Sequence, residues 1–146
     1  MSVLGRFLWS ALDVGLGRSY GIGDGRQNCI TFVYAVLVGM YPAVDFTAHH
    51  KVLHLDGQPV GSVANIARLC QLGVAVETHD ATEVGIYICQ GWKGGSGHNI
   101  FLARRPDKSL WICDFTPADC DGLEPIAWED VVARWPTRAI ARLVGG

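Results

Sequence analysis

Residues 84–115 read VGIYICQGWKGGSGHNIFLARRPDKSLWICDF, and this stretch decides the fold. It contains three short apolar runs, rich in the β-branched and aromatic residues that strands favour: Val84–Cys89, Asn99–Ala103 and Leu110–Phe115. The polar turn Arg104–Ser109 joins the second run to the third, which predicts a β-hairpin. The glycine-rich segment Gly91–Gly97 predicts a loop between the first run and the second.

Helical patterns precede this stretch. Residues 1–16 predict a short amphipathic helix whose inward side chains are Phe7, Leu8, Ala11 and Leu12. Cys29–Gly39 predicts a second, very apolar helix, because it follows the breaker-rich segment Gly21–Asn28. Ser62–Leu72 predicts a third helix, with Gly73 just past its end. The residues from Pro42 to Pro59 predict an irregular excursion.

The remaining segments complete a sheet. Val74–Glu77 and Arg138–Val144 predict two more strands, and Ile126–Trp135 predicts a helix that Pro136 stops. Helices first and a mostly antiparallel sheet afterwards predict the α+β class. Residues 1–146 are long enough to form a single domain with a real core.

Composition excludes some functions. Twelve Lys and Arg against 14 Asp and Glu give a formal net charge of -2, whereas a nucleic-acid-binding surface needs a basic excess. No apolar run reaches the roughly 18–20 residues of a membrane span. The N-terminus has no Ala-x-Ala cleavage site, so we expect synthesis without a signal peptide.

The five cysteines do not form a metal or disulfide framework. They stand at positions 29, 70, 89, 113 and 120, with no Cys-x-x-Cys pair. This spacing predicts thiols in a reducing compartment. Cys70, Cys89 and Cys113 lie in apolar periodic segments, which predicts that they are buried as small hydrophobic residues.

Cys29 differs from the other cysteines because it begins a helix. A thiol there feels unpaired backbone N–H groups and the positive end of the helix dipole, which stabilise a thiolate. The same N–H groups could bind an oxyanion that forms beside the sulfur. The pattern predicts a nucleophile, although the apolar helix behind Cys29 leaves burial in the core as the alternative.

His98 is the best-placed base for such a nucleophile. It follows the flexible run Gly94–Gly97 and opens a strand. If the following turn has two residues, centred between Pro106 and Asp107, position 98 lies opposite about 115 and Asp114 falls near His98. Asp114 would then orient the imidazole, whereas a one-residue slip would bring a neighbouring residue there instead.

The same residues carry a family resemblance. Tyr20–Gly23 followed by Asn28–Tyr34 resembles the nucleophile region of the NlpC-type papain-like cysteine hydrolases, which show a Tyr, glycines and Asp-Cys-Ser-Gly-Phe-Val at a helix start. Gly97–Leu102 resembles the segment that carries their base histidine, and that of the related CHAP amidases. The family places a polar third residue on the next strand, where this chain has Asp114. The chain departs from the family at Asn28, where the family has Asp.

The resemblance implies a papain-like fold and a cysteine amidase or peptidase, with peptidoglycan stem peptides as the usual substrate. Cys29 would attack as thiolate, His98 would act as base and then acid, and Asp114 would hold the imidazole tautomer. No metal or organic cofactor is required. Without a signal peptide, a cell-wall enzyme needs injection by a secretion machine or phage-associated release, and an immunity protein could restrain it.

Two other functions remain open on the residues alone. The chain could be a non-catalytic binding or assembly module of a phage or secretion system on the same scaffold. It could also be a cysteine deamidase or acyltransferase toxin that acts on protein side chains. An accessible nucleophile in an open cleft favours an enzyme, and a buried Cys29 favours the module.

Three further residues are candidates for substrate binding. Tyr20 either positions the site through its hydroxyl or packs on the first helix, and Gln27 either donates to an oxyanion or lies in a solvated loop. Trp92, with Gln90, either lines a cleft beside His98 or packs in the core. The histidines of the excursion suggest a metal site by spacing, but no carboxylate or cysteine completes a set, so a surface loop is predicted: His49, His50 and His54.

Overall fold

The computed structural model describes residues 2–15, 29–46, 54–55, 58–59, 66–93, 96–114 and 122–145. Its elements in chain order are α1 Val3–Gly15, α2 Cys29–Met40, β1 His54–Leu55, β2 Gln58–Pro59, α3 Ile66–Gln71, β3 Ala75–Thr78, β4 Gly85–Lys93, β5 Ser96–Arg104, β6 Leu110–Asp114, β7 Gly122–Pro125, α4 Trp128–Arg134 and β8 Thr137–Leu143. None of the described helices is both long and apolar enough to cross a bilayer.

Six of the described strands form one sheet in the order β3-β8-β4-β5-β6-β7. Each neighbouring pair in it is antiparallel. The prediction of an α+β chain with a mostly antiparallel sheet is therefore confirmed. β1 and β2 pair separately as a short ribbon within the predicted excursion.

The sheet has two covered faces. The α2 face packs against α1, α2 and α3, and its buried strand residues include Ile86, Ile88, Phe101, Ala103 and Cys113. The α4 face packs against α4, and its buried strand residues include Tyr87, Cys89, Ile100, Leu102, Leu110, Ile112 and Ile140. Successive residues of β4 and β5 alternate between the two clusters, as the pleat of a strand requires.

The first helix packs differently from the prediction. Phe7 is fully buried, as expected, but Leu12 is 64% exposed and the prediction that it faces inward was wrong. The buried position belongs to Ser10, whose hydroxyl donates to the Val36 carbonyl at 2.9 Å. Gly39 allows this close approach, because a Cβ there would lie 2.3 Å from the Ser10 Oγ. A polar residue thus fixes where α1 crosses α2.

Several element boundaries also differ. The predicted loop Gly91–Gly97 is mostly strand, since β4 continues to Lys93 and β5 begins at Ser96. The strand β7 was not predicted, and β8 lies between β3 and β4. Gly73 follows α3 with φ of 76°, which confirms it as the residue that ends this helix.

Candidate active site

The β4–β5 hairpin positions His98. This residue is near the start of β5, and its register partner on β4 is Gly91. Because side chains alternate along a strand, His98 lies on the α4 face with Ile100 and Leu102. Its side chain is 21% exposed, so the imidazole is largely packed but still reachable from solvent.

The turn between β5 and β6 places Asp114 beside this histidine. The backbone N–H of Arg105 donates to the Ser109 carbonyl, and that of Lys108 donates to the Arg105 carbonyl, both at 2.9 Å. Lys108 adopts a φ of 72°, so the turn contains one residue more than the predicted two-residue form. The prediction of the turn was wrong, and Phe101 pairs with Cys113 as a result.

This register is what brings Asp114 to the correct face. If the pairing of β5 with β6 is continued by one residue beyond Phe101 and Cys113, Asp114 lies beside Ile100. Asp114 is then diagonally across from His98 on the α4 face. A two-residue turn would pair Asp114 with Asn99 and turn its carboxylate to the α2 face. The structure instead shows a contact between Nε2 of His98 and Oδ1 of Asp114, so the predicted proximity is confirmed.

The contact between His98 and Asp114 determines which nitrogen of the imidazole carries the hydrogen. A carboxylate only accepts hydrogen bonds, so we assign the imidazole hydrogen to Nε2. In the neutral ring the lone pair then lies on Nδ1, which is the atom that can take a proton. Asp114 is about as exposed as His98, at 22%. The pair is therefore partly exposed rather than a fully buried ion pair.

Trp135 covers one side of the His98 ring. The two rings stack with centroids 6.0 Å apart and an interplanar angle of 27°. Trp135 follows α4 directly and is buried. A Cβ at position 91 would lie 2.2 Å from Cγ of Trp135, so only glycine leaves room for the indole there. Gly91 thus admits an indole to the site that sequence reasoning did not assign to it.

Arg138 holds the backbone that carries this tryptophan. Its Nη1 donates to the Trp135 carbonyl at 3.2 Å. The guanidinium lies 5.3 Å from the centroid of the Trp128 ring, as in a cation–π contact. Arg138 is also the register partner of Gly91 on β8, so one row across three strands contains His98, Gly91 and Arg138.

The candidate nucleophile lies at the start of α2. This helix begins at Cys29, as predicted. Its first turn carries Phe32, which packs edge-on against Phe101 with ring centroids 6.3 Å apart. The helix therefore covers the α2 face, whereas His98 lies on the α4 face. The side chain of Cys29 lies outside the described residues, so its meeting with His98 stays a prediction.

Burial makes the thiol of Cys89 harder to ionise, whereas a helix start would make the thiol of Cys29 easier to ionise. Cys89 is buried on the α4 face, and loss of hydration raises its pKa to about 12. The positive charge of Arg138 lowers the pKa of Cys89, but its effect is smaller than that of burial. Cys89 and Cys113 are buried and Cys70 is half-buried. The prediction that these three cysteines are packing residues is confirmed: Cys89 and Cys113 are buried in the core, and Cys70 packs against it. Cys120 lies outside the described residues.

Among the other candidates, the structure describes the side chains of Gln90 and Trp92. Tyr20 and Gln27 lie outside the described residues, as do His49, His50 and the side chain of His54. Trp92 is 41% exposed, so the alternative that it packs in the core was wrong. Gln90 is buried on β4 with Asn99 as its register partner on β5. Both Gln90 and Trp92 alternate onto the α2 face, away from the His98 ring.

Comparison with known proteins adds no relative. No protein-family model matches the chain, and neither a curated protein nor a solved structure is significantly similar to it. Among the residues that the structure describes, no group of three or more His, Cys, Asp or Glu side chains could hold a metal ion.

Proposed function

We propose that this chain is a papain-like cysteine hydrolase that cleaves an amide bond with Cys29, His98 and Asp114. The contact between Nε2 of His98 and Oδ1 of Asp114 is the observation that carries the proposal. It joins two residues from different strands into an oriented, partly exposed base. Such a pair is the second half of a nucleophile–base–orienter triad, and a cysteine at a helix start is the first half.

The proposed reaction begins with proton transfer from the Cys29 thiol to Nδ1 of His98. The thiolate then attacks the amide carbonyl carbon, and the backbone N–H of Cys29 stabilises the resulting oxyanion. The imidazolium gives its proton to the leaving amine as the C–N bond breaks. A water molecule, deprotonated by the same imidazole, hydrolyses the thioester and restores the thiol.

Asp114 has two parts in this proposal. Its carboxylate holds Nε2–H, so that Nδ1 keeps the lone pair that accepts the thiol proton. Its negative charge also favours the imidazolium that forms beside the thiolate. Trp135 supports both by covering one side of the ring, which limits the orientations that the imidazole can take.

The proposed substrate is a peptide, with the stem peptide of peptidoglycan as the first candidate. The support for this substrate is the resemblance of the segments around Cys29 and His98 to the NlpC-type hydrolases. Action on the cell wall would give the producing cell a reason to keep an inhibitory partner protein.

Digestion of purified peptidoglycan tests the proposal. Wild-type protein should release stem-peptide fragments detectable by mass spectrometry, and Cys29→Ala and His98→Ala should release at least about 10²-fold less. Cys70→Ala is the matched control, because Cys70 lies on α3 and should retain full activity. Hydrolysis by Cys29→Ala at the wild-type rate would rule out the assigned nucleophile. Deamidation of protein glutamines without release of peptides would instead identify a side-chain deamidase.

A further inference from the structure

A cavity opens between α1, the first turn of α2 and the strands β6 and β7. Its volume is about 170 Å³. Phe7, Phe32 and Cys113 form its buried base, and Leu8 and Ala11 of α1 form one wall. Every described lining side chain is hydrocarbon or thiol, and the remaining two are Leu12 and Leu123.

The described residues at the rim of this cavity are apolar as well. Leu12 is 64% exposed and Leu123 is 38% exposed, although both side chains border the opening. Trp9, on the adjoining turn of α1, is 72% exposed. Large apolar side chains around an open, apolar cavity are an uncommon combination on a protein surface and mark a place where an apolar ligand would be stabilised.

The volume of the cavity limits the size of the group that it can bind. A cavity of about 150 Å³ lined by aliphatic and aromatic side chains stays free of water and binds benzene. The present cavity is slightly larger and has the same kind of lining. It fits one phenyl ring or one branched aliphatic side chain, and it offers no charged partner among its described lining residues for a polar group.

The cavity lies next to the first turn of α2, the helix that begins with the proposed nucleophile. Phe32 lines it, and Phe32 lies within one turn of Cys29 along α2. Three residues of α-helix advance only about 4.5 Å along the axis. A ligand group in the cavity is therefore close to the helix end where the proposed acyl-enzyme would form.

We propose that this cavity is the subsite that receives an apolar, benzene-sized group on the acyl side of the substrate. This inference rests on the proposed cysteine hydrolase activity, and it names a substrate class other than the stem peptide, which has no aromatic or branched aliphatic side chain. That class is amides whose acyl part carries an aromatic or branched aliphatic side chain. Binding that side chain between α1 and α2 orients the carbonyl toward the start of α2. Small, wholly polar acyl groups would lack this contact.

Benzene binding to Cys29→Ala protein tests the cavity independently of catalysis. Benzene added in a titration should shift the methyl NMR signals of Leu8, Leu12 and Leu123 in a saturable way. Ala11→Phe should abolish these shifts by filling the cavity, and the smaller change Ala11→Leu should weaken them. Ala67→Phe, at an exposed position on α3, is the matched control and should leave them intact.

Acyl preference provides the second measurement. The kcat/KM of wild-type protein should be at least tenfold greater for the 4-nitroanilide of 3-phenylpropionic acid than for that of acetic acid. Ala11→Phe should remove this preference by lowering kcat/KM for the 3-phenylpropionyl compound to within about twofold of that for the acetyl compound. Absence of saturable methyl shifts, or shifts that persist in Ala11→Phe, would overturn the subsite. Benzene binding in a protein with no hydrolytic activity would instead overturn the proposed function and leave the cavity as an apolar binding site.

Discussion

At the scale of single residues, the contact between His98 and Asp114 is the central feature. Asp114→Ala removes the acceptor of the Nε2 hydrogen, so the ring can rotate and take the other tautomer. We expect a loss in kcat of about 10²-fold, within the range for a positioned base. Asp114→Asn keeps an oxygen acceptor and should lose about tenfold less. Steady-state kinetics decides this, and equal rates for Asp114→Ala and wild type would exclude a positioning role.

Gly91 and Trp135 give a second prediction at this scale. In Gly91→Ala the new methyl group would lie 2.2 Å from Cγ of Trp135, so the indole has to move. We expect a loss of about 1–3 kcal/mol in the free energy of unfolding, measured by urea denaturation. Gly145→Ala is the matched control, because its Cβ would meet Val3 at an ordinary 3.5 Å. A neutral Gly91→Ala would show that the indole does not lie against the strand.

Cys89 predicts a pH dependence of stability. Burial raises its pKa to about 12, whereas an unfolded thiol ionises near about 8.5. Above the pKa of the unfolded thiol, the unfolded state has lost a proton that the folded state keeps. The free energy of unfolding therefore falls as the pH rises from the unfolded pKa toward the folded pKa. The slope can reach about 1.4 kcal/mol per pH unit. Cys89→Ala should lack this component in urea denaturation at pH 8 to 10.5, and identical pH profiles would contradict it.

At the scale of elements, the β5–β6 turn decides which residue meets His98. Lys108 holds a φ of 72°, which is costly for any residue with a Cβ. Lys108→Gly should therefore raise the free energy of unfolding by about 1 kcal/mol, since glycine adopts this conformation without strain. Lys108→Ala is the control and should change it little, because the Cβ remains. Thermal unfolding compares the wild-type protein with the two variants. Equal stability changes in Lys108→Gly and Lys108→Ala would show that the lysine side chain, rather than the backbone conformation, determines the stability of the turn.

The same turn shows how far sequence patterns reach. The three apolar runs and the polar turn between two of them predicted the hairpin, because strand periodicity is a local property. The length of the turn was not predictable, since Arg-Arg-Pro-Asp-Lys-Ser has no glycine to mark the left-handed position. Lysine occupies it, and the register shifts by one residue. Asp114 was correctly placed near His98, but the expected turn would have sent it to the other face.

At the scale of the whole molecule, the parts of the site that sequence reasoning missed come from strand order. β8 inserts between β3 and β4, although it is the last strand in the chain. That insertion brings Trp135 and Arg138, at the end of α4 and the beginning of β8, beside His98 and Gly91. No local spacing relates these residues, because their proximity depends on long-range pairing. The packing of Ser10, rather than Leu12, against α2 is also a property of the assembled helices.

The two covered faces also set the geometric requirement for catalysis. His98 and Asp114 project from the α4 face, while α2 packs against the α2 face through Phe32 and Phe101. The proposed ion pair between the Cys29 thiolate and the His98 imidazole requires the start of α2 to lie close to the beginning of β5. The proposed hydrolase therefore depends on the electrostatic coupling of Cys29 to His98, which a single titration can measure.

The rate at which iodoacetamide alkylates Cys29, followed by mass spectrometry from pH 4 to 9, tests this coupling most directly. In wild-type protein we predict an inflection well below the ordinary thiol pKa of about 8.5, because the helix start and the imidazolium stabilise the thiolate. In His98→Ala the inflection should rise toward 8.5. A Cys29 that titrates near 8.5 in both proteins, or is not alkylated in either, would contradict the proposed hydrolase.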